Sequence, residues 1–455
     1  MDNQPLASAS PLPWRDAPLG ELVRLAWPIM ISLLSYSAMT VVDTLFISRL
    51  GSASLAGVGL GGVSSFILVC FGFGLLRAAQ TLVAQATGAG RSGTAPAYLG
   101  AAIVSAIGLG LAITCLGRLA SPAIASISAT AGAAHHARAY LDIRLLGSVP
   151  VLLYVALREV RYGLGDSRTP MRAAVAANVL HIGLAYGFIF VLDGGVVGAA
   201  WATVASESVE ALWLALASRE GLRQIGTTRR EHVRALWELG WPLGVQFLLE
   251  MGAFAMLTAI VAAWRESDMA AHQIALQVIH VSFLPAFAVG EAGSVLAGQA
   301  VGAGRNDLVR RVGHAALGVA ALYAGTCTLV LLVAAGPIVA AFTSEPELAH
   351  TARMLLYVAC LFQIADAANV VARGALRGSG DVRFAAWVGI SVAWLAQPPL
   401  AWTLGHVFGL GAVGAWLALT VEIFAGASIL WWRIEREGWR AAASRYHARA
   451  HAVAA

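Results

Sequence analysis

The sequence predicts an all-α polytopic membrane protein with twelve transmembrane helices in two parallel six-helix repeats. Composition, the spacing of apolar stretches and an internal repeat carry that prediction. Of the 455 residues, 58% are hydrophobic and 12% are Asp, Glu, Lys or Arg, roughly half the charged share of an ordinary globular domain. Mean hydropathy is +0.73. A water-soluble protein is excluded. One spanning helix takes about 20 apolar residues, so this length holds on the order of twelve spans with short loops and no large aqueous domain.

Apolar stretches bounded by Gly, Pro and charged clusters fall at 22–46, 54–83, 96–120, 134–157, 171–192 and 196–218, then at 236–262, 270–297, 312–341, 351–372, 384–404 and 411–433. The expected organisation is an N-terminal tail over 1–20, a first lobe over 21–218, a basic linker over 219–235, a second lobe over 236–434 and a C-terminal tail over 435–455. All 30 basic residues are arginine, and net charge is +5. With the N-terminus inside, 23 of the 30 collect on the cytosolic side, among them the linker arginines Arg219 to Arg234 and the group Arg373, Arg377 and Arg383. Positively charged loops resist translocation, so both termini are expected in the cytosol and the chain in the cytoplasmic (inner) membrane. The first 20 residues are rich in Pro and Ser and lack the charged start and apolar centre of a cleaved signal.

Leu25-Ala26-Trp27-Pro28 recurs as Leu239-Gly240-Trp241-Pro242, and Gln85 to Arg91 recurs as Gln299 to Arg305, both at an offset of 214. Gly163-Leu-Gly-Asp166 pairs with Gly378-Ser-Gly-Asp381, and Gly195-Val-Val-Gly-Ala199 with Gly411-Ala-Val-Gly-Ala415, at offsets of 215 and 216. Two halves with an even number of spans each enter the membrane in one orientation. Parallel repeats are a transporter architecture, in which two bundles rock about a cleft near the midplane.

Other classes find little support. Cys70, Cys115, Cys327 and Cys360 each sit in an apolar run with no metal-ligand spacing, which argues against a disulfide framework. The arginines are scattered, so no nucleic-acid partner is expected. The Gly-Ala-Gly-Arg turns at 88–91 and 302–305 lack the Lys-Ser/Thr ending of a phosphate cradle. His135-His136 carries no zinc-protease spacing, and no nucleophile elbow is present. An embedded enzyme or sensor would need such a constellation or an aqueous domain.

The residues that point to function are carboxylates inside spans. A carboxylate there costs roughly 2.5–3.5 kcal/mol on insertion scales, and those that persist face a bundle interior or a wet cavity. Asp43, Glu250 and Asp366 are each flanked by apolar residues on both sides. Such groups can trade a proton or sodium ion for a cationic substrate. Glu207, Glu210 and Glu422 are weaker candidates; Glu207 and Glu422 match at the repeat offset of 215 and lie near predicted cytosolic ends, within reach of water. Pro28, Pro242, Pro285 and Pro398-Pro399 bend spans. Tyr36, Phe254 and Phe283 offer deep aromatic faces, which attract organic cations, although core packing accounts for each of them better.

From about residue 18 to 435 the pattern resembles the multidrug and toxic compound extrusion (MATE) family. The resemblance rests on Pro28, Val42-Asp43-Thr44, Leu82 to Gln85, Gly88 to Arg91, Gly165 to Pro170 and Gly194 to Ala200 in the first half. In the second it rests on Gly240-Trp-Pro242, Glu250, Ala270-Ala271-His272-Gln273-Ile274, Gly298-Gln299, Gly302 to Arg305 and Leu376 to Asp381. It implies a V-shaped pair of six-helix bundles that exports cationic, amphipathic organic compounds in exchange for Na+ or H+, with no other cofactor and with the lipid bilayer as surroundings. Glu250 and Asp366 look like the cation pair of the NorM-like branch, a tentative Na+ site. Asp43 looks like the aspartate the family uses in its first lobe, and Thr203 stands where an associated threonine does. Gln273 joins Tyr36, Phe254 and Phe283 as a candidate for the substrate cleft.

The fifth span departs from the family's pattern. Many members carry an Asn followed four residues later by Asp or Asn. Here the chain reads His181-Ile-Gly-Leu-Ala185, with Asn178 earlier. The missing oxygen at Ala185 removes a ligand that Na+ would want, whereas His181 can share a proton with Asp43. The first lobe is thereby tilted towards protons, or towards no ion, while the second remains compatible with Na+. A flippase for a lipid or lipid-linked precursor and a dedicated exporter of one natural product remain alternatives. A monomer suffices for each.

Overall fold

The computed structural model describes residues 12–128 and 130–445, and the outer parts of both expected tails lie outside them. The described residues form helices α1 (Pro18–Ser48), α2 (Ser52–Gly88), α3 (Ala95–Ala125), α4 (Ala131–Leu146), α5 (Ser148–Gly163), α6 (Arg168–Tyr186), α7 (Gly195–Ala217), α8 (Arg219–Arg223), α9 (Arg230–Ala262), α10 (Glu266–Gly302), α11 (Asn306–Ala340), α12 (Pro346–Ser379), α13 (Val382–Leu395), α14 (Gln397–Trp402) and α15 (Gly411–Glu435). A π-helical turn closes α6 at Gly187–Val191 and α14 at Thr403–Val407. Both lie just ahead of a repeated Gly-x-Val-Gly-Ala station.

Ten of these helices are long and apolar enough to cross a membrane, and the pair α4 and α5, bent by 46° at Gly147, makes an eleventh if it counts as one span. The remaining expected span is α7. It is a continuous helix of 23 residues, but its middle carries Glu207 and Glu210. The expected bend at Pro398-Pro399 is a one-residue interruption at Ala396, where α13 stops at Leu395 and α14 restarts at Gln397 within a single span over 382–407. Pro28, Pro242 and Pro285 lie inside continuous helices.

Two compact units result. Among the described residues, one comprises those up to Met30, Gly88–Gly90 and those from Leu248; the other comprises those between Ile31 and Thr87 and between Arg91 and Phe247. The chain changes unit inside α1 and inside α9, each time within two turns of the repeated proline. In the first unit α10 packs along α12, and a core of Leu257, Leu331, Leu355, Phe362 and Trp416 lies beside them. Trp416 is fully buried, donating from Nε1 to His272 Nδ1 at 3.0 Å. Trp14 is buried too, its Nε1 donating to Gln299 Oε1 at 2.8 Å, so the segment ahead of α1 is docked from there on. The second unit has a core of Ile47, Ala185, Ile189, Val196 and Ala199. Its basic connector is also docked, the Thr228 hydroxyl donating to the Ala97 carbonyl at 3.1 Å.

The repeated stations have a backbone cause. Gly90 and Gly304 share φ +71°, and Gly165 and Gly380 have φ +82° and +89°. Glycine adopts this left-handed conformation without the Cβ penalty, so each pair turns the chain sharply at corresponding points. Asp166 follows Gly165 and opens α6, its Oδ1 accepting from the Thr169 N–H at 3.0 Å while Oδ2 accepts from Arg161 at 2.8 Å. Burial pushes this carboxyl up, but the Thr169 and Arg161 bonds outweigh it and hold it below the usual carboxylate range. Its stabilising contribution is therefore complete above the ordinary carboxylate range and fades as pH falls through and below that range. Asp166→Asn should lose stability relative to wild type at neutral pH and converge with it in acid, measured as melting temperature against pH.

Small residues bring α10 and α12 together: a Cβ on Gly374 would collide with the Gly290 carbonyl, and one on Gly378 with that of Ser294. Close backbone approach of this kind is how helices associate in lipid. Gly374→Ala should cost about 1–3 kcal/mol through overpacking, read as a lowered melting temperature. Gly325→Ala, whose added carbon meets open space, should not lower it.

Candidate functional site

Asp43 stands on α1, His181 on α6 and Ser206 on α7, all in the second unit. His181 is fully buried; its Nε2 lies 2.6 Å from Asp43 Oδ1 and its Nδ1 3.0 Å from Ser206 Oγ. The Ser206 hydroxyl also reaches the carbonyls of its own helix, Ala202 at 2.9 Å and Thr203 at 3.1 Å. The roles at the ring follow the tautomer: with Nδ1–H donating to Ser206, Nε2 accepts from a protonated Asp43, and with Nε2–H donating to Asp43, Nδ1 accepts from the Ser206 hydroxyl. At 2.6 Å one hydrogen lies between Nε2 and Oδ1 in either arrangement.

Other ionisable groups frame this pair. Arg144 at the end of α4 makes a two-point bond to Glu207 on α7, both contacts at 2.9 Å, and Tyr140 lies within electrostatic reach of Asp43, Arg144 and Glu207. Thr203 donates to the Ala199 carbonyl one turn back and also contacts Tyr140. Asn178 donates to Ser35 Oγ at 2.5 Å, joining α6 to α1 a few turns from Asp43. Tyr36 donates to Glu210, with Tyr154 and Arg158 close by. Tyr36 thus belongs to an internal polar network.

In the first unit, Glu250 on α9 accepts from Arg373 Nη1 at 2.6 Å. Arg373 Nε donates to Asn369 Oδ1 at 2.7 Å, and the Asn369 amide donates to the Ile423 carbonyl of α15 at 3.4 Å. Asp366 and Glu422 lie within electrostatic reach of the same guanidinium. Asp366, Asn369 and Arg373 share one stripe of α12, at spacings of three and four residues. Trp394 donates to the Leu249 carbonyl at 3.0 Å, holding the backbone beside Glu250. Of the cleft candidates in this unit, Phe283 packs against Phe287 at 5.8 Å between centroids, Phe254 is partly exposed and Gln273 is exposed.

These positions correct two expectations. Arg373 and Arg377 do not lie in a polar loop: α12 continues to Ser379, and Arg377 is buried against Glu291 at 2.8 Å and Ser294 at 3.2 Å. Glu207 and Glu422 do not reach water but, like Glu210, are buried in their helices. Ser206, Asn369 and Arg373 are missing from any reading limited to carboxylates, although the three-and-four spacing from Asp366 could have flagged the latter two.

The MatE family model matches residues 28–187 and 242–403, most of the chain and both halves. The chain belongs to the MatE family. Among curated relatives, the probable multidrug resistance protein NorM of Burkholderia pseudomallei is 30% identical over 446 residues, covering 95% of each chain. That of Bradyrhizobium diazoefficiens is 32% identical over 433 residues, covering 90% of this chain and 91% of the relative. Among solved structures, a MOP superfamily transporter from Pyrococcus furiosus, described as having a binding pocket of reverse polarity, superposes with a TM-score of 0.87 at 22% identity, covering 94% and 97% of the two chains. A MATE protein in complex with MaL6 gives 0.87 at 23% identity, covering 94% and 98%. The MatE chain is thus a multi-pass membrane transporter and not an enzyme.

For this MatE protein the Arg144 and Glu207 pair offers a direct test of how its charges are held. Arg144→Met should cost about 3–5 kcal/mol by leaving Glu207 uncompensated. Adding Glu207→Met should recover most of that loss, as read in melting temperatures across the double-mutant cycle. Equal losses in the single and double variants would contradict mutual compensation.

Proposed function

We propose that this protein is a proton-coupled antiporter that exports small, cationic amphipathic organic compounds by alternating access, with Asp43 and His181 as the coupling site. The observation that carries the reading is the 2.6 Å contact between His181 Nε2 and Asp43 Oδ1. His181 is sealed in the protein and Asp43 keeps a partly exposed edge, so a proton enters and leaves through Asp43. Protonated, the neutral pair ties α1 to α6. Deprotonated, Asp43 is left as an anion able to attract a cationic substrate. Proton and cation therefore compete for one carboxylate, the minimum an exchanger needs. Asn178, which bonds α6 to α1 at Ser35, holds the frame in which the pair opens.

The rest of the reading follows the family. The relatives are named for multidrug resistance, which supports organic substrates, and acidic groups deep in the helices favour cationic ones. Twelve spans in two six-helix lobes, residues 21–218 and 236–434, would supply the moving bodies, with α7 as the sixth span. The arginine bias supports cytosolic termini and insertion in the inner membrane.

Efflux of a fluorescent organic cation from proteoliposomes tests the coupling. A proton gradient alone should drive efflux by wild type, Asp43→Asn should abolish it, and His181→Gln should reduce it by about tenfold or more, the scale of a lost proton-transfer partner. Efflux driven equally well by sodium alone in wild type and Asp43→Asn would sink the proposal.

A further inference from the structure

Glu250 and Asp366 are the carboxylates that a coupling sodium ion would be expected to use. A hard cation needs several oxygen donors converging at bonding distance. Around Glu250 the geometry is different. Arg373 Nη1 sits 2.6 Å from Glu250 Oε1, at charge-assisted hydrogen-bond distance. The guanidinium does not rest there by accident: Asn369 accepts from its Nε at 2.7 Å and is itself tied to α15 through the Ile423 carbonyl. Gly426 permits that tie, since a Cβ there would collide with the Asn369 amide nitrogen. Neighbouring charges on the packed helices are Asp366 on α12 and Glu422 on α15. Next along α12, Arg377 is engaged by Glu291 of α10.

We infer that Arg373 is the resident cation of this carboxylate cluster and sets its ion selectivity by excluding Na+. Arginine cannot give up its charge by deprotonating. It is covalently tethered, so it competes with free ions at an effective concentration that dilution cannot lower. Sodium could reach Glu250 only after shedding part of its hydration shell and displacing a guanidinium fixed at two points. Arg373 accordingly does for Glu250 what a bound ion would do, and it does so permanently. Asn369 is the positioning residue that aims it.

Equilibrium binding of radiolabelled sodium to the purified protein, at constant ionic strength, reads this directly, whether or not protons drive transport. Wild type and Arg373→Lys should bind little. Arg373→Gln, which takes the guanidinium away from Glu250, should bind at least about tenfold more, as expected when an intramolecular competitor at millimolar effective concentration is removed, and Arg373→Gln with Glu250→Gln should lose that gain. Wild type binding sodium as well as Arg373→Gln, or folded Arg373→Gln binding none, would overturn the inference. If Arg373→Gln does not fold, Glu250→Gln decides: it should leave the low sodium binding of wild type unchanged, and a sodium signal present in wild type and lost in Glu250→Gln would refute exclusion by Arg373.

Discussion

A charge buried among spanning helices must be neutralised by a neighbour, because lipid supplies neither water nor counter-ions. Nearly every polar feature of this protein follows from that constraint. Arg144 meets Glu207, Arg158 meets Glu159, Arg377 meets Glu291 and Arg433 meets Asp381, each pair within 3.0 Å. Several of these contacts join different helices, so neutralising charge and fixing helix positions are one event. The small residues along α10 and α12 serve the same end, since close helices allow short arginine-to-carboxylate contacts.

The two units meet the constraint with different chemistry. At Asp43 the partner is His181, whose charge can come and go with a proton, so neutrality there is conditional. At Glu250 the partner is Arg373, whose charge is fixed and which Asp366 and Glu422 also approach. Under the proposed function the first pairing responds to a gradient, and the second keeps a fixed positive charge among carboxylates. On α12 the arginine lies two stripe-steps beyond Asp366, with Asn369 between them. The proposed function assigns ion exchange to Asp43 and His181 and leaves Arg373 as a fixed charge beside Glu250.

Much of this was legible in the residues. The alternation of apolar stretches and turns located the long helices, and the repeated glycines turned out to share positive φ, which is why they recur. His181 stood out because it broke an expected pattern beside Asp43. Arg373 did not, because the apolar stretch fades near residue 372 and an arginine after it reads as a loop anchor. The helix runs on to Ser379, held by packing against α10 that hydropathy cannot register. Glu207 and Glu422 were misjudged for the same reason: position along a helix was readable, but the neighbours that seal them from water were not. The change of unit inside α1 and α9 leaves no polar linker, so no composition shift marks it.

Proton release on substrate binding tests the central claim most directly. Purified protein in weakly buffered solution is mixed with an organic cation, and the pH change is followed with an indicator dye. If Asp43 and His181 share a proton that the cation displaces, wild type releases protons in proportion to substrate bound, and Asp43→Asn releases none while remaining folded. Substrate binding without proton release in wild type, or undiminished release in Asp43→Asn, would contradict the account.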